Sequence, residues 1–97
     1  MSEGHQVECG ERMTIEKVES LYSQLESALL EHGKIELIAD RVQQCDTASL
    51  QLIVNLLKAS KQQGHSVIWI KPSQAIINVA ELLGLIEPLE LTQHIVR

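Results

Sequence analysis

Apolar residues along this chain follow two different rhythms, and the switches between them mark its elements. From Ile15 onward, Val18, Leu21, Tyr22, Leu25, Ala28 and Leu29 recur at intervals of three and four, the spacing that lines one side of a helix. Glu16, Lys17, Glu19, Ser23, Gln24, Glu26 and Ser27 fill the other side, so this helix covers a core from outside. Thr14 stands where an N-cap belongs, and Gly33 where the helix should stop. The apolar run Ile35–Ala39 comes next. Its pattern predicts a strand buried on both faces of a parallel sheet, with Val42 and Cys45 continuing inward.

Asp46 then opens a second helix through Leu50, Leu52, Ile53, Val54, Leu56 and Leu57, which runs out in polar residues before Gly64. This helix is apolar on more than one side, which predicts either cover by neighbouring elements or an exposed partner surface. Ser66–Ile70 is β-branched and aromatic between Gly64 and Pro72, a strand that brings Trp69 into or near the core. Ser73 caps a third helix with Ile76, Ile77, Val79, Ala80 and Leu83 inside, and Gly84 followed by Leu85 ends it. Near the start, Val7 and Cys9 share one face of a short edge strand over Gln6–Glu11. After Pro88 the pattern assigns no form to the tail.

Strand, helix, strand, helix, strand, helix implies right-handed crossovers onto one sheet with helices packed against it. The fold class is therefore α/β, a small β-sheet with alternating helices. This order puts Asp46 at the carboxyl end of a strand and the amino end of a helix, where such folds build binding sites.

Composition narrows the function classes. The chain has 97 residues, 44% of them hydrophobic and 22% charged, with no Pro- or Ser-rich linker, which predicts one domain over residues 1–97 with a core near 6–88 and a tail at 89–97. A net charge of -5 disfavours nucleic acid and anionic membranes as partners. No apolar run approaches the roughly 18 residues of a membrane span; even Leu50–Leu57 is broken by Gln51 and Asn55. No direct membrane insertion is expected. The start, Met1 to Gln6, lacks a basic segment followed by an apolar core, so the expected location is cytoplasmic.

Cys9 and Cys45 form no CxxC pair, and His5, His32, His65 and His94 fall singly, so neither a metal nor another cofactor is expected. Cys45 reads as a small buried side chain and not as a reactive thiol. The remaining chemistry is concentrated in Asp46-Thr47-Ala48-Ser49, ahead of Leu50. Free N–H groups and the positive end of a helix dipole converge there, and a hydroxyl or a phosphate would be stabilised. Equally, Asp46 can be only an N-cap, with Thr47 and Ser49 as ordinary first-turn residues. An enzyme is disfavoured: no His or Lys adjoins Thr47 in sequence, Asp40 and Asp46 read as a surface acid or caps, and Gly-rich phosphate loops are lacking.

The stretch Asp46-Thr47-Ala48-Ser49-Leu50-Gln51-Leu52 does not stand alone. It is preceded by the strand pattern ending between Leu37 and Cys45, and followed by the Gly64 turn, Val67–Ile70 and Leu82-Leu83-Gly84-Leu85. Together, from Gln6 to Pro88, these resemble a STAS domain of the anti-sigma-factor-antagonist type. The resemblance implies that family's small mixed β-sheet with alternating helices, and a non-enzymatic regulatory module that binds a protein partner through Asp46, Thr47, Ala48, Ser49 and Leu50. It also implies that Thr47, the hydroxyl residue after the aspartate, is the position a partner kinase phosphorylates; without such a kinase, Thr47 serves as a direct contact. The partner would be an anti-sigma factor with serine-kinase activity or, by similarity to stand-alone STAS proteins of signalling arrays, a chemotaxis kinase. A second resemblance is to STAS accessory subunits of lipid-transport ABC systems, where the partner is the ATPase subunit. Two positions depart from the family pattern: Ser49 stands where glycine is usual, and Ile38 where many members have aspartate.

Overall fold

The computed structural model describes residues 5–95. Residues 1–4, part of the amino-terminal stretch read for an export signal, and residues 96–97, the end of the tail, lie outside the described residues. The elements run β1 (His5–Glu8), β2 (Arg12–Met13), α1 (Ile15–His32), β3 (Lys34–Ile38), β4 (Gln44–Cys45), α2 (Thr47–Gln62), β5 (Ser66–Ile70) and α3 (Gln74–Leu83), then a 3-10 turn at Thr92–His94. The edge strand expected over Gln6–Glu11 ends at Glu8, and a second short strand, β2, follows beyond that span. Gly10 between them adopts φ 77°, a left-handed conformation open to glycine that breaks the extended run.

β1, β3 and β5 form one sheet in that order, with β3 in the centre and β1 at an edge. Its register sets Val7 beside Leu37 and Leu37 beside Trp69. A second ladder joins β2 to β4, with Met13 opposite Cys45. The α/β alternation read from the sequence is present. Every described ladder is parallel, a narrower arrangement than the mixed sheet that the resemblance implied.

Side-chain burial in β3 alternates: Ile35 and Leu37 are fully buried, whereas Lys34, Glu36 and Ile38 are only half-buried. The expectation of cover on both faces is corrected by topology. The crossovers β1-α1-β3 and β3-α2-β5 proceed the same way across the sheet, and right-handed connections then deliver both helices to one side. α1 and α2 pack on each other and on the sheet. Val18 and Leu25 from α1, with Leu50, Ile53, Leu56 and Leu57 from α2, meet Val7, Ile35, Leu37, Val67 and Trp69 in one core. Each such side chain contributes about 1.5–3 kcal/mol by leaving water.

The helix ends follow the sequence signals. Gly33 (φ 73°) closes α1 with its N–H on the Leu29 carbonyl, and Ser73 caps α3 by accepting the Ile76 N–H. Within the described residues the tail packs on the core. Leu89 and Leu91 are fully buried, and the Trp69 indole N–H donates to the Leu89 carbonyl at 2.8 Å. The core therefore extends past the limit near residue 88. No described helix is long and apolar enough to cross a membrane.

Candidate functional site

The short ladder between β2 and β4 shapes the Asp46 junction. Gln43 and Gln44 donate their N–H groups to the Glu11 carbonyl, and the Asp46 N–H reaches the Met13 carbonyl at 3.3 Å. The chain before α2 is thereby tied to the chain before α1. Asp46 remains extended (φ -116°, ψ 169°), and α2 begins at Thr47.

One carboxylate then serves two helices. Asp46 Oδ1 accepts the Ser49 N–H at 2.8 Å, and Oδ2 accepts the Ile15 N–H at 3.1 Å. These are orphan donors in the first turns of α2 and α1. Thr14 holds the N-cap position of α1 without a capping bond from its own side chain; Asp46 supplies it from 31 residues away.

Ser49 completes the arrangement from inside. Its hydroxyl oxygen accepts the Asp46 N–H at 3.3 Å, closing a reciprocal capping box, and its proton goes to the Met13 carbonyl. The side chain is fully buried. Bonding from the Ser49 N–H is the main cause holding the Asp46 carboxyl below its usual range, with the Ile15 N–H adding to it. Cys45 is displaced the other way: burial, and then the neighbouring Asp46 charge, push its thiol up. Its Sγ lies 3.9 Å from the Ala75 carbonyl of α3.

The five residues singled out in the sequence are brought together, but they divide into two layers. Thr47 and Ala48 are exposed, Asp46 is half-buried, and Ser49 and Leu50 are fully buried. Ser49 serves the cap and Leu50 the core, which leaves Thr47 and Ala48 as the exposed pair at this end of α2. The roles of Met13 and Ile15 had no counterpart in the sequence reading. The spacing Asp-x-x-Ser at 46–49 is itself a capping-box signal; the long-range bonds to residues 13 and 15 have no local signature. Among the described residues, no group of three or more His, Cys, Asp or Glu side chains is placed to hold a metal ion.

A family model described as Mlab, STAS domain, matches residues 2–93. The chain belongs to the STAS domain family. Its fold is similar to a solved structure of the anti-sigma factor antagonist SpoIIAA in its unphosphorylated form, with a TM-score of 0.67 over 100% of this chain and 96% of that one. Sequence identity is 16%, so the likeness is one of fold. Comparison with curated proteins gave no match. Within this STAS domain, the serine at the usual glycine position turns its hydroxyl inward, away from the surface bearing Thr47. Ile38, at the other departure, pairs with Glu8 and Ile70 on the sheet face opposite α1 and α2.

Proposed function

We propose that this STAS domain is a non-enzymatic regulatory module that binds a protein partner, in the manner of an anti-sigma-factor antagonist, through the start of α2. The observation that carries this reading is the exposed Thr47 in the first turn of a helix whose beginning is clamped by Asp46 and Ser49. An exposed threonine flanked by the small, exposed Ala48 suits both close approach by a partner and modification by a kinase. A phosphate there adds about -1.5 to -2 of charge beside the Asp46 carboxylate and would overfill an interface fitted to a hydroxyl. The proposed setting is a bacterial cytoplasmic signalling system, with an anti-sigma factor kinase or a chemotaxis kinase as partner.

A second reading, an accessory subunit supporting the ATPase of a lipid-transport ABC system, draws on the same pair, since Asp46-Thr47 is the feature that resemblance shares. It predicts stable co-purification with an ATPase and a permease.

The switch is tested by incubating the protein with ATP and the kinase encoded beside it, followed by peptide mass spectrometry. One phosphate on Thr47 is expected. A kinase that binds the domain and repeatedly leaves Thr47 unmodified contradicts the switch and leaves Thr47 as a contact residue.

A further inference from the structure

α1 and α2 begin together at Asp46 and run side by side, so their carboxyl-terminal halves form a second pair of walls far from Thr47. Between them lies a cavity of about 260 Å³, lined by Tyr22, Leu29 and Leu30 of α1, by Leu56 and Ala59 of α2 and by Gln63 at the cap that follows it. Leu30 at its rim is 78% exposed, and Ala59 is exposed opposite. Leucine at such a site adds little to the fold, because its side chain stays in water.

Charge around the groove is one-sided. Glu26 also lines it, and sits close enough to the Tyr22 phenol to add to the upward push that burial gives that group. Glu19, seven residues earlier and so on nearly the same stripe of α1, is exposed. The α2 residues lining the groove carry no charge. On the far side of α2, Lys61 is engaged with Glu90.

We infer that this groove is a second docking surface, one that receives an amphipathic helix of a partner protein with leucine-like side chains on one face and lysine or arginine beside them. A channel between two parallel helices is shaped for a third helix laid along it. Its apolar anchors would fill the cavity against Leu30 and Ala59, and its cations would meet Glu26 and Glu19. At about 1.5 Å per residue, the stretch Leu56–Gln63 lies roughly 14–24 Å along α2 from Thr47. Thr47 lies outside the residues lining the groove, and the inference does not rest on the proposed switch.

Fluorescein-labelled helical peptides titrated into the full chain, read by anisotropy, test it. One peptide carries leucines at three-and-four spacing flanked by lysines; one replaces the lysines with glutamates; one replaces the leucines with serines. The leucine–lysine peptide should bind at least about tenfold more tightly than either control, a difference of about 1.4 kcal/mol. Leu30→Glu and Ala59→Arg change exposed positions and should keep the melting temperature while each weakens binding about tenfold or more. Thr47→Asp should leave it within about twofold. Equal binding to wild type, Leu30→Glu and Ala59→Arg, or no binding of the leucine–lysine peptide at all, overturns the proposal. So does sedimentation showing a dimer of this chain that Leu30→Glu dissociates, since the groove would then belong to a second copy.

Discussion

The Asp46 carboxylate accepts the backbone N–H of Ile15 at 3.1 Å while also accepting that of Ser49 at 2.8 Å, so the first turns of α1 and α2 share one cap. A hydrogen bond to a charged group contributes about 1.5–3 kcal/mol, and leaving a donor unpaired adds its desolvation cost. The residue next to the exposed Thr47 therefore holds the starts of both helices together.

Asp46→Ala should lower stability by about 2 kcal/mol or more, a drop of roughly 8 °C or more in melting temperature for a chain of this size. Asp46→Asn, whose amide has one acceptor oxygen for two donors, should fall between. Thermal unfolding followed by circular dichroism measures both. A melting temperature for Asp46→Ala within about 2 °C of wild type would remove the shared cap, since even one lost cap exceeds that.

Acid should weaken the same joint. The folded-state pKa of Asp46 is lowered, chiefly by the Ser49 N–H, so its ionised form adds stability above the unfolded-state value. That contribution disappears as pH falls through the folded-state value. Urea unfolding at stepped pH should show stability declining below about pH 4, and Asp46→Asn should be less pH-dependent over the same window.

Ser49→Gly restores the residue usual in the family and should nevertheless destabilise this chain by about 1–3 kcal/mol. It removes the hydroxyl that donates to Met13 and accepts from Asp46, and it places glycine in a helix. Chemical denaturation would register the change as a lower midpoint.

The single tryptophan of the chain reports on the tail. Truncation after Pro88 removes Leu89 and Leu91 from the core and the carbonyl that accepts the Trp69 indole proton. Emission should shift to longer wavelength and the domain should lose several kcal/mol, at about 1.5–3 kcal/mol for each leucine. Unchanged emission would show that the tail does not pack on Trp69.

Local pattern carried most of the fold. α1 was legible from Ile15 to Gly33 because its apolar stripe and its stop lie within one continuous stretch, and β5 because Gly64 and Pro72 bracket it. What escaped the sequence was non-local. The ladder β2–β4 is two residues per strand, too short to show a rhythm. The half-open sheet face depends on which side both crossovers take, and the burial of Leu89 and Leu91 depends on where Trp69 lies. At the site, the junction and its residues were visible, while the division between exposed Thr47 and buried Ser49 depended on a carbonyl 36 residues away.

The account depends most on Thr47 acting at the surface and not in the fold. The direct measurement is calorimetric titration of the physiological partner into wild type and Thr47→Asp, with the melting temperature of each recorded. Binding should weaken by about tenfold or more, about 1.4 kcal/mol, while the two proteins melt within about 2 °C of each other, as an exposed substitution allows. Equal affinity for the two, or a Thr47→Asp protein whose weaker binding comes with a large loss of stability, would contradict it.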